Sequence, residues 1–339
     1  MKTSPQNAGL PKNTGRQSAI LPNRKISGIG IPLALIGCLL TGGLGCALAE
    51  QEDPSLARVV STSTLIADWT ETIAGEAIHH TGLLEAGTDP HIYEPTPADS
   101  RALEEADLIL YNGYNLEPGL IRLMEGAGVK AEKLAVGEVV PPLQTSYNGQ
   151  QVPDPHVWGD VAHVMLMVGA IRDALVEVSP ANQTQFQQRT RDYLAQLSAL
   201  DRWIEQQIQT IPPQYRILVT THDAFQYYAH AYGLELGGSL IGISTEEQPS
   251  AQTVTRLVDS IQEAGTAAIF AETTINPMLI QTVAAEAQVT LAPDPLYSDS
   301  LGGQGSGAES YIAMMEANTR TIVQALGGSY QPFSGGVNP

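Results

Sequence analysis

Two stretches of the chain, "GTDPHIYEP" and "VPDPHVWGD", place His91 and His156 directly behind Asp-Pro, 65 residues apart. With Asp and Pro each near 5% of residues, that dipeptide precedes a given histidine by chance roughly once in 400. Here it does so for two of seven histidines. Proline fixes its own φ and keeps the residue before it extended, so each imidazole leaves the backbone on a stiff frame with a carboxylate in reach of a ring N–H. That is how a metal ligand is presented. Either copy alone reads as a turn with an incidental histidine; the pair does not.

Two further residues have the right chemistry and setting. His222 follows "RILVTT" and precedes "AFQYYAHAY", and Asp299 lies in "PLYSDSLGG" after another strand-like run. Both fall at the carboxyl ends of strands, where open α/β sheets bind ligands. Three imidazoles and one carboxylate suit a borderline divalent cation, Zn²⁺ by default and Mn²⁺ if the carboxylate binds through both oxygens. His79 and His80 sit side by side on a strand and point to opposite faces, and His163 and His230 fall on helices, so these four are read as packing or solvated residues. No His-Glu-x-x-His helix, Gly-x-Ser-x-Gly elbow or phosphate-binding glycine loop occurs.

The elements that must hold these residues alternate. "ARVVSTSTLIADWTETIAG" reads as strand then helix, "AIHHTGLL" as strand, "TPADSRALEEA" as a capped helix and "DLILYNG" as a buried strand. "SPANQTQFQQRTRDYLAQLSALDRWIEQQIQTIPP" has no glycine and spaces Phe186, Tyr193, Leu197, Leu200 and Ile204 at helical intervals, which predicts one long helix. Alternation then resumes through strands "AAIFAE" and "VTLAP" and helices "SAQTVTRLVDSIQEAG", "PMLIQTVAAEAQ" and "AESYIAMMEANTRTIVQAL". The reading is an α/β fold of two Rossmann-like lobes with parallel sheets, residues 50–178 and 214–339, joined by a long rigid helix within 179–213.

Residues 1–49 differ from the rest: five basic residues and no acid, then an apolar run rich in glycine, the pattern of a secretory leader. "LIGC" at Cys38 and "GLGC" at Cys46 resemble lipoprotein cleavage boxes, and Ala47-Leu48-Ala49 resembles an ordinary signal peptidase site. The protein is therefore expected outside the cytoplasmic membrane, periplasmic or lipid-anchored to its outer face. Both cysteines lie in this leader, so any metal site in the body uses histidine and carboxylate. Without the leader 12 basic residues remain against 36 acidic ones, a charge of about −24, which disfavours nucleic acid as a partner.

"DPHIYEPTPAD", "DPHVW", "THDAFQYYAHAYGL" and "DSLG", in that order, resemble the metal-binding proteins of ABC importers for zinc and manganese, the cluster A-I type of solute-binding protein. The resemblance implies two lobes bridged by a helix with the metal between them, His91 and His156 coming from the first and His222 and Asp299 from the second. In that family a Glu at the third position accompanies manganese, while a His occurs in zinc proteins and in some that take either metal. The histidine-rich loop of many zinc members is missing, since "QTSYNGQQVPDP" contains none. The expectation is a monomer, not an enzyme, that captures Zn²⁺ or Mn²⁺ and hands it to an ABC permease, touching the membrane only through a lipid anchor. The competing readings are a secreted zinc-dependent hydrolase, which would keep an open coordination position beside a general base, and a surface adhesion lipoprotein.

Overall fold

Strand β1 (Arg58–Ser61) forms where Val59 and Val60 put two β-branched side chains in a row, both fully buried. The structure is a computed structural model describing residues 55–147 and 149–335; the leader and its three cleavage readings lie outside the described residues. Helix α1 (Thr64–Ala74) starts at Ser63, whose hydroxyl accepts the Ile66 N–H at 3.3 Å, and buries Leu65, Ile66, Trp69 and Ile73. Strand β2 (His79–Gly82) follows. Helix α2 (Pro97–Glu105) opens on a capping box in which Thr96 and Asp99 satisfy each other's backbone N–H groups, with Pro97 in the first turn. Strand β3 (Leu108–Tyr111), helix α3 (Pro118–Gly126) and strand β4 (Glu132–Ala135) complete a four-stranded parallel sheet ordered β2-β1-β3-β4.

An antiparallel hairpin, β5 (Gln144–Tyr147) and β6 (Gln150–Pro153), then leads into the second Asp-Pro-His stretch. Helix α4 (Val161–Val178) is capped by Asp160, and helix α5 (Gln183–Gln209) is the long helix expected, 27 residues or about 40 Å at 1.5 Å per residue. Its buried stripe of Phe186, Tyr193, Leu197, Leu200, Ile204 and Ile208 is the one the spacing predicts, and it faces α1 and α4.

Strand β7 (Ile217–His222), helix α6 (Gln226–Tyr232) and strand β8 (Glu235–Ile241) form a parallel unit. Helix α7 (Ala251–Ala264), the short strand β9 (Ala268–Ile269), helix α8 (Met278–Ala287), the short strand β10 (Thr290–Leu291) and helix α9 (Tyr311–Ala325) finish the chain. The Phe270 N–H donates to Val219 C=O at 2.9 Å and joins β9 to β7, so the second set of strands runs β8-β7-β9-β10. That is the winding of the first sheet repeated.

Helix α9 returns to pack on α1 and α5, with Tyr311 edge-on to Trp69 at 5.5 Å between ring centroids. One buried core therefore runs from Val59 and Trp69 through Val164 and Leu197 to Phe270 and Tyr311. Trp69→Ala is expected to cost about 3–5 kcal/mol, because a fully buried indole at this junction leaves a cavity that helices cannot readily close. Urea denaturation of the metal-free protein measures it.

Candidate metal centre

The Asp-Pro-His frame is built twice in the same way and then finished differently. In each copy the Asp Oδ1 accepts the backbone N–H of the histidine two residues on, at 2.9 Å, closing a tight turn around the proline. Asp154 Oδ1 also takes the His156 ring at Nδ1, at 2.7 Å. Asp89 does not touch its own imidazole; its Oδ2 accepts the Thr245 hydroxyl at 2.6 Å, from the loop after β8. Asn112, at the end of β3, donates its side-chain amide to Pro155 C=O at 3.0 Å and steadies the second frame.

His222 is the last residue of β7. Its N–H donates to Glu272 Oε1 at 2.8 Å, and its Nδ1 shares a short hydrogen bond with Glu272 Oε2. Asp299 is carried by a loop tied down on both sides: Ser298 C=O accepts the Trp158 indole N–H at 2.9 Å, and Ser300 Oγ accepts the Gly87 N–H at 2.8 Å. The loops bearing His91, His156 and Asp299 are thus laced together around one point.

That point is enclosed and polar. His91, His156, His222 and Asp299 are 3%, 0%, 0% and 1% exposed, and one donor atom from each lies within 4.8 Å of all the others. His91 Nε2 is 3.2 Å from His156 Nε2, His156 Nε2 is 3.4 Å from Asp299 Oδ1, and His222 Nε2 is 3.3 Å from Asp299 Oδ2. In a tetrahedron of metal–ligand bonds near 2.0–2.1 Å, neighbouring donors stand about 3.3–3.4 Å apart. His222 Nε2 and both Asp299 oxygens are buried without any hydrogen-bond partner. Buried polar atoms are rarely left so, and three aimed at one spot fit a cation there.

Electrostatics divides the set. Burial, reinforced by the neighbouring imidazoles, holds His91 well below the ordinary histidine value, and burial does the same to His156. Burial alone would lower His222 too, but Glu272 on one side and Asp299 on the other outweigh it and push it up to about 10. Burial pushes Asp299 up to about 7 against the pull of His222, and pushes Asp154 up to about 7. Burial also opposes ionisation of Glu272, yet the His222 charge and hydrogen bonds keep it below its usual range. Without a cation, the proton on His222 supplies the positive charge between two carboxylates. Two carboxylates are also what a divalent cation needs for neutrality.

The remaining histidines are elsewhere. His163 lies on α4, its ring 5.5 Å from that of Tyr227, and His230 is exposed on α6. His80 Nδ1 meets Glu71 at 3.1 Å and its Nε2 meets Ser61 Oγ at 2.9 Å, the connectivity of a nucleophile, base and orienting acid. Ser61 is completely buried, with Thr70 Oγ1 at 3.3 Å, so no substrate carbonyl reaches it. The sequence reading missed Glu272. Its one signal was an acid at the end of the strand candidate "AAIFAE", the position that had singled out His222.

Known proteins share this architecture. The zinc-binding protein TroA of Treponema pallidum is 36% identical over 272 residues, covering 79% of this chain and 88% of that one. Its solved structure superposes with a TM-score of 0.76, covering 80% of this chain and 99% of that one. The manganese-binding lipoprotein MntA of Halalkalibacterium halodurans is 35% identical, covering 86% of this chain and 96% of that one. A manganese-bound periplasmic metal-binding protein from candidatus liberibacter asiaticus matches at 26% identity with a TM-score of 0.73, covering 79% of this chain and 98% of that one. Residues 59–325 match the model of the family described as zinc-uptake complex component A, periplasmic, and the chain belongs to that family of metal-binding proteins.

Proposed function

We propose that the protein is the extracytoplasmic binding component of an ABC importer: it captures a divalent transition metal, Zn²⁺ or Mn²⁺, between His91, His156, His222 and Asp299 and delivers it to the permease. The observation that carries this is the buried, unpartnered state of His222 Nε2 and both Asp299 oxygens at tetrahedral spacing from the other two imidazoles. Four protein donors leave no position for an activated water, and the one hydrolase-like constellation, around Ser61, is sealed, so the protein is not an enzyme. Among the described residues no helix is long and apolar enough to cross a membrane. The reading includes a monomer held at the outer face of the membrane by a lipid on a leader cysteine, with lobes 50–178 and 214–339 meeting at the metal and residues 179–213 joining them.

Titration of the metal-free protein should give one tight site per chain, with a rise in stability of about 2.7 kcal/mol when free metal is 100 times the dissociation constant. Two equivalent tight sites, or no shift in melting temperature with either metal, would refute the assignment.

Selectivity turns on residue 222. A carboxylate in place of this imidazole would favour the harder Mn²⁺, but the structure sets a condition, because a glutamate there would face Glu272. The pair His222→Glu with Glu272→Gln is therefore expected to lower the zinc-to-manganese affinity ratio, while His222→Glu alone weakens both. An unchanged ratio in calorimetric competition would show that residue 222 does not set selectivity.

A further inference from the structure

The four donors are not held alike. His156 is oriented at Nδ1 by Asp154 and His222 at Nδ1 by Glu272, while Asp299 is fixed through the hydrogen bonds of its neighbours Ser298 and Ser300. His91 Nδ1 has no protein partner among the described residues; only its backbone is anchored, through Asp89. Rotating the other two imidazoles breaks a buried charge-assisted hydrogen bond, whereas rotating His91 breaks none.

The surroundings differ in the same sense. A cavity of about 660 Å³ adjoins the site, and of the four donors His91 alone lines it. Its walls come from the β5–β6 hairpin (Tyr147, Val152), the turn after β3 (Tyr114) and the loop after β8 (Ser244). That last loop also carries Thr245, which bonds Asp89 of the His91 frame. The side chains of Glu138 and Glu246 line the same space opposite Arg122, leaving it a net negative charge. A bare ion needs no such volume to be held, but a hydrated one needs it to arrive.

Resting on the proposed metal-binding function, we infer that His91 is the exchangeable donor, and that the cation enters and leaves on its side through this cavity. His156, His222 and Asp299 form the preassembled seat; His91 closes over the ion last and swings away first. The buried site thereby gains a defined door without any opening of the sheets.

Stopped-flow zinc association and chelator-driven dissociation, on the full body of the chain, separate the roles. His91→Ala should leave the association rate within roughly threefold of wild type and speed dissociation by about 10- to 100-fold. His156→Ala and His222→Ala should lower the association rate by about tenfold or more, because the seat itself is lost. Val152→Trp and Ser244→Trp, which fill the cavity from two separate loops, should slow association and dissociation by the same factor and leave Kd unchanged. If both tryptophan variants, folded by near-ultraviolet circular dichroism, keep wild-type rates, the route is wrong. If His91→Ala slows association as much as His156→Ala, His91 belongs to the seat and the inference falls. A wild-type chain that takes up no divalent cation overturns the binding function itself, and this inference with it.

Discussion

His156→Ala and His222→Ala are each expected to weaken metal binding at least about a hundredfold, beyond the 10- to 100-fold that loss of an outer hydrogen-bond partner costs. Each removes one of four donors from a site with no water in reach to replace it, and each leaves a buried carboxylate, Asp154 or Glu272, without its imidazole. Glu272→Gln should fall within the 10- to 100-fold range, since it keeps the shape but loses the charge that orients the His222 ring. His163→Ala and His230→Ala should bind as wild type does, one packing against Tyr227 and the other exposed on α6. Competition calorimetry against a chelator of known affinity ranks the series. Equal losses across His156, His222, His163 and His230 would dissolve the four-donor assignment.

Affinity should also fall steeply with acidity. Metal binding has to displace the proton that His222 holds up to about pH 10 and, increasingly below about pH 7, a proton on Asp299, while His91 and His156 are already neutral. From about pH 8 to pH 5.5 the two groups together predict a drop of about ten-thousandfold, with about one and a half protons released per ion near pH 7. Titration in buffers of different ionisation enthalpy counts those protons, and a pH-independent Kd would show that no donor carries one. The metal-free fold has the opposite dependence. The raised His222 contributes stability that is fully present below the unfolded value near 6.5 and is lost as pH rises through about 10. Raising the pH therefore strengthens the loaded form while it weakens the empty one.

How much of this was legible in the sequence depended on whether a residue's role was local. The Asp-Pro-His frames are closed by hydrogen bonds two residues long, so their spacing displays them. The long helix α5 shows because its buried residues recur on one face. Helix α4 was not picked out as an element: "VAHVMLMVGAIRDALVEV" is apolar nearly all round, so it presents no stripe against a polar background. Strands β9 and β10 are two residues each, held by neighbours rather than by their own pattern. Glu272 acts on a histidine 50 residues away, and the bonds of Ser298 and Ser300 span 140 and 213 residues. Such partners become visible only once the two strand sets bring their carboxyl ends together.

The four donors stand 65, 66 and 77 residues apart, and the chain has no cysteine after Cys46. On the proposed ligation one ion ties four points spread almost evenly along the polypeptide, closing three loops of similar length at a single atom. It is then to this body what disulfides are to other exported proteins, a cross-link that restricts how the chain can come apart. Unlike a disulfide, it is indifferent to reductants and yields to a chelator. Its removal frees all three loops at the same moment, so the protein that hands over its cargo gives up its staple in the same event.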